Sequence, residues 1–135
     1  AAYLYDIETA RIGSADFKQD SRGAVLSVNG TNWFMALLRE ADGPAVAELA
    51  PVPPMRAGES RRVEVRLLTP PGRAMRATLI ARGLNFGDAD GRSIAIAVPG
   101  TATVTAPRDA APGRYQIELE GPNLIGMKRF LDVLP

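Results

Sequence analysis

Val98-Pro-Gly-Thr-Ala-Thr-Val-Thr-Ala-Pro-Arg-Asp-Ala-Ala-Pro-Gly-Arg-Tyr-Gln-Ile-Glu-Leu-Glu-Gly-Pro-Asn-Leu-Ile-Gly-Met-Lys-Arg-Phe-Leu-Asp-Val133 is the stretch whose reading decides the fold. Two turn signals, Pro99-Gly100 and Pro112-Gly113, are each followed by a run in which apolar and polar residues alternate. Alternation places one side-chain set on a buried face and the other in water, as in a half-buried strand. The spacing predicts strands over Thr101 to Ala106, Arg114 to Glu120 and Lys128 to Leu134.

Working back, the same pattern recurs. Val63, Val65 and Leu67 alternate with Arg62, Glu64 and Arg66, while Met75, Ala77, Leu79 and Ala81 share one face of the next run. Ser93 to Val98 reads as a strand of small residues, and Ala45 to Val52 as a strand or a single helical turn. Pro51, Pro53 and Pro54 have no N–H to give a ladder, so Pro51 to Arg56 is expected to be a connector or an edge. Near the start, Tyr3 to Ile7 alternates and is expected at a sheet edge, and Lys18 to Gly23 reads as a turn. Asn29-Gly30 between Ala24 to Val28 and Trp33 to Leu38 predicts a hairpin, because both turn residues tolerate positive φ. Turn signals at such regular intervals predict an all-β chain, an antiparallel Greek-key β-sandwich. We expect one domain over 1–135, with N-terminal strands and the hairpin in 1–50 and the main sandwich portion in 57–135.

Composition narrows the chemistry. The 135 residues are 46% hydrophobic and 23% charged, which suits a packed domain. Histidine and cysteine are both absent, removing the usual neutral-pH general base, the thiolate nucleophile and most transition-metal ligand sets. The expectation is therefore a protein that is not an enzyme and carries no cofactor. A formal net charge of +1 gives no reason to expect nucleic acid. The longest apolar run, Trp33 to Leu38, is only strand length, so no membrane insertion is expected.

From Ala57 onward the order of features resembles a cupredoxin, the copper-binding β-sandwich: Ala57-Gly58-Glu59, then Pro99-Gly100 with Thr103-Val104-Thr105, then Pro112-Gly113-Arg114-Tyr115. The family's Cys-x-x-His-x-x-x-x-Met loop, aligned on Tyr115, places Leu119 at the Cys, Pro122 at the His and Met127 at the Met, preceded by Gly126. The resemblance thus implies the frame of a copper loop without its ligands, with Leu119 in the core. The chain also resembles immunoglobulin-like domains of bacterial surface proteins, through Gly83-Leu84-Asn85-Phe86-Gly87 and Ala111 to Tyr115.

Other candidates are weaker. Asp88, Asp90 and Gly91 resemble part of a calcium loop but lack the further acidic ligands. Met35, Met55, Met75 and Met127 are soft donors, although Met35 and Met75 lie in apolar runs that suit core packing. Fourteen of the sixteen basic residues are arginine, and alternation gathers several on one sheet face. Arg62, Arg66 and Arg76, with Trp33, form the expected interaction face; Tyr3, Tyr5 and Phe34 would join Trp33 in a sugar-stacking platform if exposed. The expected role is a structural or protein-interaction module of a bacterial secreted, periplasmic or surface assembly, its partner another subunit or a second copy. The alternatives are a carbohydrate- or anion-binding module, or Met- or Asp-based binding of copper or calcium.

Overall fold

The structure, a computed structural model, describes residues 1–6, 9–28, 34–38, 42–69, 75–86, 91–126 and 128–135. Five strands come from the first part of the chain: β1 (Ala2–Asp6), β2 (Arg11–Ala15), β3 (Phe17–Asp20), β4 (Gly23–Leu26) and β5 (Phe34–Leu38). Ten follow: β6 (Ala45–Leu49), β7 (Met55–Arg56), β8 (Ser60–Leu67), β9 (Met75–Ala81), β10 (Asn85–Phe86), β11 (Ser93–Val98), β12 (Gly100–Thr105), β13 (Gly113–Glu120), β14 (Leu124–Ile125) and β15 (Arg129–Leu134).

Two five-stranded sheets, in the orders β10-β12-β8-β6-β14 and β11-β9-β13-β15-β7, face each other as a β-sandwich. The alternation that predicted the strands fills the space between them. Val63 and Val65 of β8 and Val104 of β12 meet Leu79 of β9, Ile117 and Leu119 of β13, and Leu131 and Val133 of β15 in one buried cluster. The pairings are antiparallel except for two: β14 lies parallel to β6, and β7 parallel to β15. β6 is thus a sandwich strand, with Ala47 and Leu49 in the core.

Two turns show the local chemistry that sets this register. In Arg56-Ala57-Gly58-Glu59 the Glu59 N–H donates to the Arg56 carbonyl at 3.0 Å while Gly58 holds φ at 83°. That third position of a type II turn favours glycine, since other residues strain there. Glu59 also accepts the Arg56 N–H at its Oε2, at 2.9 Å. At Pro112-Gly113 the chain enters β13, and the Tyr115 hydroxyl donates back to the Ala111 carbonyl at 2.8 Å. The Val98–Pro99 peptide bond between β11 and β12 is cis.

The N-terminal part departs from expectation. β1 is the middle strand of the sheet β2-β1-β5, not an edge, and β3 pairs with β4 in a separate two-stranded ribbon. Ala24 to Leu26 and Phe34 to Leu38 therefore have different partners and form no hairpin; the Asn29-Gly30 turn itself lies outside the described residues. The turn within Lys18 to Gly23 is shorter than expected, because Lys18 to Asp20 are already paired in β3. Asp20 Oδ1 accepts from the N–H groups of Arg22 and Gly23 at 2.7 and 3.2 Å. A side-chain acceptor two residues back makes the tight turn that Asn-Gly had signalled elsewhere.

A second, smaller cluster joins this part to the sandwich. Tyr3 and Ile12 are buried against Val46, with Tyr5, Leu68 and Ile125 around them. Val46 points away from the main core, so the β2-β1-β5 sheet covers the outer side of β6 and β14.

Candidate functional site

Alternation on β8 sends Val63 and Val65 inward and Arg62, Glu64 and Arg66 into water. Their neighbours on β12 are Thr103 opposite Arg62 and Thr101 opposite Glu64, with Ser60 and Thr105 joined by a 2.7 Å hydroxyl hydrogen bond. Opposite Arg66 on the other side is Glu48 of β6. Arg66 reaches Glu64 at 3.2 Å and Glu48 at 3.9 Å, and its hydrogen bonds to Glu64 raise its pKa while lowering that of Glu64. These charges are well exposed, so water screens them and they contribute little to stability. Two of the expected interaction residues thus share a face, with one of them already neutralised by carboxylates.

Arg76 does not join them. It points outward from β9 on the second sheet, so the sandwich core separates it from Arg62 and Arg66. Trp33 lies outside the described residues. Tyr3 is buried in the smaller cluster and Tyr5 is half-buried, because β1 is covered rather than at an edge, and this takes Tyr3 out of any sugar-stacking platform. Burial, together with the Asp6 charge, raises the Tyr5 pKa.

The metal candidates separate in the same way. Met55 is fully buried in the core, Met75 packs against its margin, and Met35 is exposed on β5 rather than buried as its apolar run suggested. Met127, Asp88 and Asp90 lie outside the described residues. Among the described residues no three acidic groups converge as a metal site would require. Leu119, at the position aligned with the copper-binding cysteine, is 3% exposed and lies opposite Leu79 of β9. No helix among the described residues is long and apolar enough to cross a membrane.

The feature that sequence reasoning missed is the β3–β4 ribbon. Apart from Phe17 and Leu26, which face each other at its base and are half-buried, its residues are exposed. Val25 is 66% exposed, and Val28, just beyond the ribbon, 45%. A 3.0 Å bond from the Ser27 N–H to the Asp16 carbonyl closes the base. The signal for it was the D-S-R-G turn, with its aspartate positioned to accept the following N–H groups.

Scanned against protein-family models, the sequence matches none, and a search of curated proteins finds no match.

Proposed function

We propose that the chain is a non-catalytic interaction module in which the sandwich is the scaffold and the β3–β4 ribbon engages another protein subunit. The observation that carries this reading is the ribbon's exposure, with two valines in water at or beside an element that, among the described residues, pairs with no other sheet. A two-stranded ribbon is marginally stable alone, and docking would bury its apolar side chains and complete its pairing. The immunoglobulin-like alternative gains support over the cupredoxin-like one from the Tyr115–Ala111 hydrogen bond, which has the form of a tyrosine corner. Leu119 packed opposite Leu79 supports an apolar filling where a copper protein would hold its thiolate. With these goes a place in a bacterial secreted, periplasmic or surface assembly, which cell fractionation would test.

The experiment is cross-linking and co-purification from native extract with the wild-type chain and with Val25→Asp and Val28→Asp. The expected result is one defined subunit held by the wild type and lost from both variants. Retention of the same subunit by both variants would remove the ribbon from the interface. A wild-type chain that remains monomeric and cross-links to nothing would overturn the reading.

A further inference from the structure

A groove of about 400 Å³ runs between the β1–β2 turn, the connector after β6, and strands β13 and β15. Its floor includes Arg129, only 8% exposed, an unusual place for a guanidinium. Arg129 points to the inner side of β15, but beyond the apolar cluster, and its Nη1 donates to the Ala10 carbonyl at 3.3 Å. Its other N–H groups have no acceptor among the described residues but stay open to solvent, and no carboxylate among those residues reaches it within salt-bridge distance.

A second cation faces it. Arg11, at the start of β2, lines the same groove and is likewise without an ion-pair partner among the described residues. Burial first, and then the Arg11 charge, lower the Arg129 pKa, while the Glu48 and Tyr5 charges raise it. Glu48 has its own contact with Arg66, at 3.9 Å. A third guanidinium, Arg114, lies over the Phe130 ring with its centre 5.3 Å from the centroid, and it is paired with Asp132 at 3.3 Å. Among the described residues that line the groove, three guanidinium groups stand against the Asp132 carboxylate, and Arg129 and Arg11 are the two outside its ion pair, with Asp6 opposite Arg11 across the β1–β2 ladder. Donors left open to the groove on a largely buried guanidinium are placed to take the oxygens of an anion.

Because β7 pairs with β15 only at Val133 and Leu134, the Arg129 half of that strand is an open edge and the groove wraps around it. Pro51, Val52 and Phe130 give the walls an apolar component.

We propose that this groove binds a small organic carboxylate, its charged head held by Arg129 and Arg11 and its apolar body lying against Pro51, Val52 and Phe130. The planar fork of a guanidinium matches the two oxygens of a carboxylate, and the volume is in the range of small-ligand sites. A bare inorganic oxyanion would leave the apolar walls unused, and a dianion would be opposed by Asp132. The site is distinct from the ribbon, so either can fail without the other.

The test is calorimetric titration of the full chain with phenylacetate, acetate and inorganic phosphate. Saturable binding is expected for phenylacetate, with acetate and phosphate weaker. Arg129→Gln and Arg11→Gln should each weaken phenylacetate about tenfold or more, the loss of a charge-assisted contact. Arg62→Gln, an exposed arginine on the other sheet, should leave it unchanged. Should Arg129→Gln not fold, Arg11→Gln decides, since its side chain is exposed and makes no bond in the fold. No saturable binding of phenylacetate up to about 10 mM, unchanged affinity in Arg11→Gln, or tighter binding of phosphate would each overturn the proposal.

Discussion

Tyr115 shows how a single side chain is held from two directions. Its ring lies so close to Gly83, which adopts φ of 78°, that a Cβ there would come within 2.8 Å of the ring. Its hydroxyl meanwhile donates to Ala111. Tyr115→Phe should lower unfolding stability by about 1 kcal/mol in urea titration, the net worth of a neutral hydrogen bond. Gly83→Ala should cost more, because backbone strain adds to the clash. Thr69 offers the opposite case: it is buried and its hydroxyl has no partner among the described residues. Thr69→Val should raise stability by about 1 kcal/mol, the cost of an unmet buried hydroxyl being removed. At Glu59 the Arg56 N–H, followed by Arg61, holds the carboxyl below its ordinary range. A lowered folded-state pKa stabilises above the unfolded value and is lost as pH falls through the folded one. Glu59→Gln should therefore flatten the decline in stability below about pH 4, which melts across an acid series would read. The turns that place these residues were legible, Ala57-Gly58-Glu59 and Pro112-Gly113 among them. The Arg129–Arg11 pairing was not, since neither arginine lies in a motif and only the fold brings opposite ends of the chain together.

At the scale of elements, legibility followed alternation. β8, β9, β11, β12, β13 and β15 lie within a residue or two of their expected bounds, because each puts apolar side chains into one core on every second residue. Where that regularity fails, so did the reading. Arg11 to Asp20 carries only Ile12 and Phe17 as large apolar residues: Ala10-Arg11-Ile12 before Gly13 suits an extended or restarted strand, which β2 takes up and carries on past Gly13, but no sequence period announces β3. The hairpin expected about Asn29-Gly30 gave way to the pairing of β5 with β1 and of β4 with β3. The ribbon's independence has a measurable outcome. Val25→Asp should change the melting stability by no more than about 0.5 kcal/mol, as for surface positions in general. Amide exchange in β3 and β4 should be faster than in β9 and β13, whose bonds are shielded by the core.

Considered as a whole, the molecule is layered: the β2-β1-β5 sheet lies over one sandwich sheet through Tyr3, Ile12 and Val46, and the main core lies beneath. Leu79→Ala, at the centre of that core, should cost about 2–5 kcal/mol, whereas Val46→Ala should loosen the N-terminal layer first, visible as Tyr3 and Tyr5 environments changing before global unfolding. The core strands of the sandwich were foreseeable from alternation, but the added β2-β1-β5 layer and its joining through Val46 were not. Val46 is one apolar residue in the segment Ala45 to Val52, broken only by Glu48, and nothing in that segment says which side chains face the main core and which face the second layer.

The two parallel pairings give the molecule an order of assembly. β6 must wait for Leu124 and Ile125, and β7 for Val133 and Leu134, before either has its outer neighbour. During synthesis from the N-terminus, the β3–β4 ribbon and the β2-β1-β5 sheet can close on local segments as they emerge. The edges of β6 and β7 stay bare until the segment from Leu124 to Leu134 is made. That segment is thus the one that seals both sheets, and a nascent chain halted shortly before it should remain sensitive to protease throughout its sandwich half.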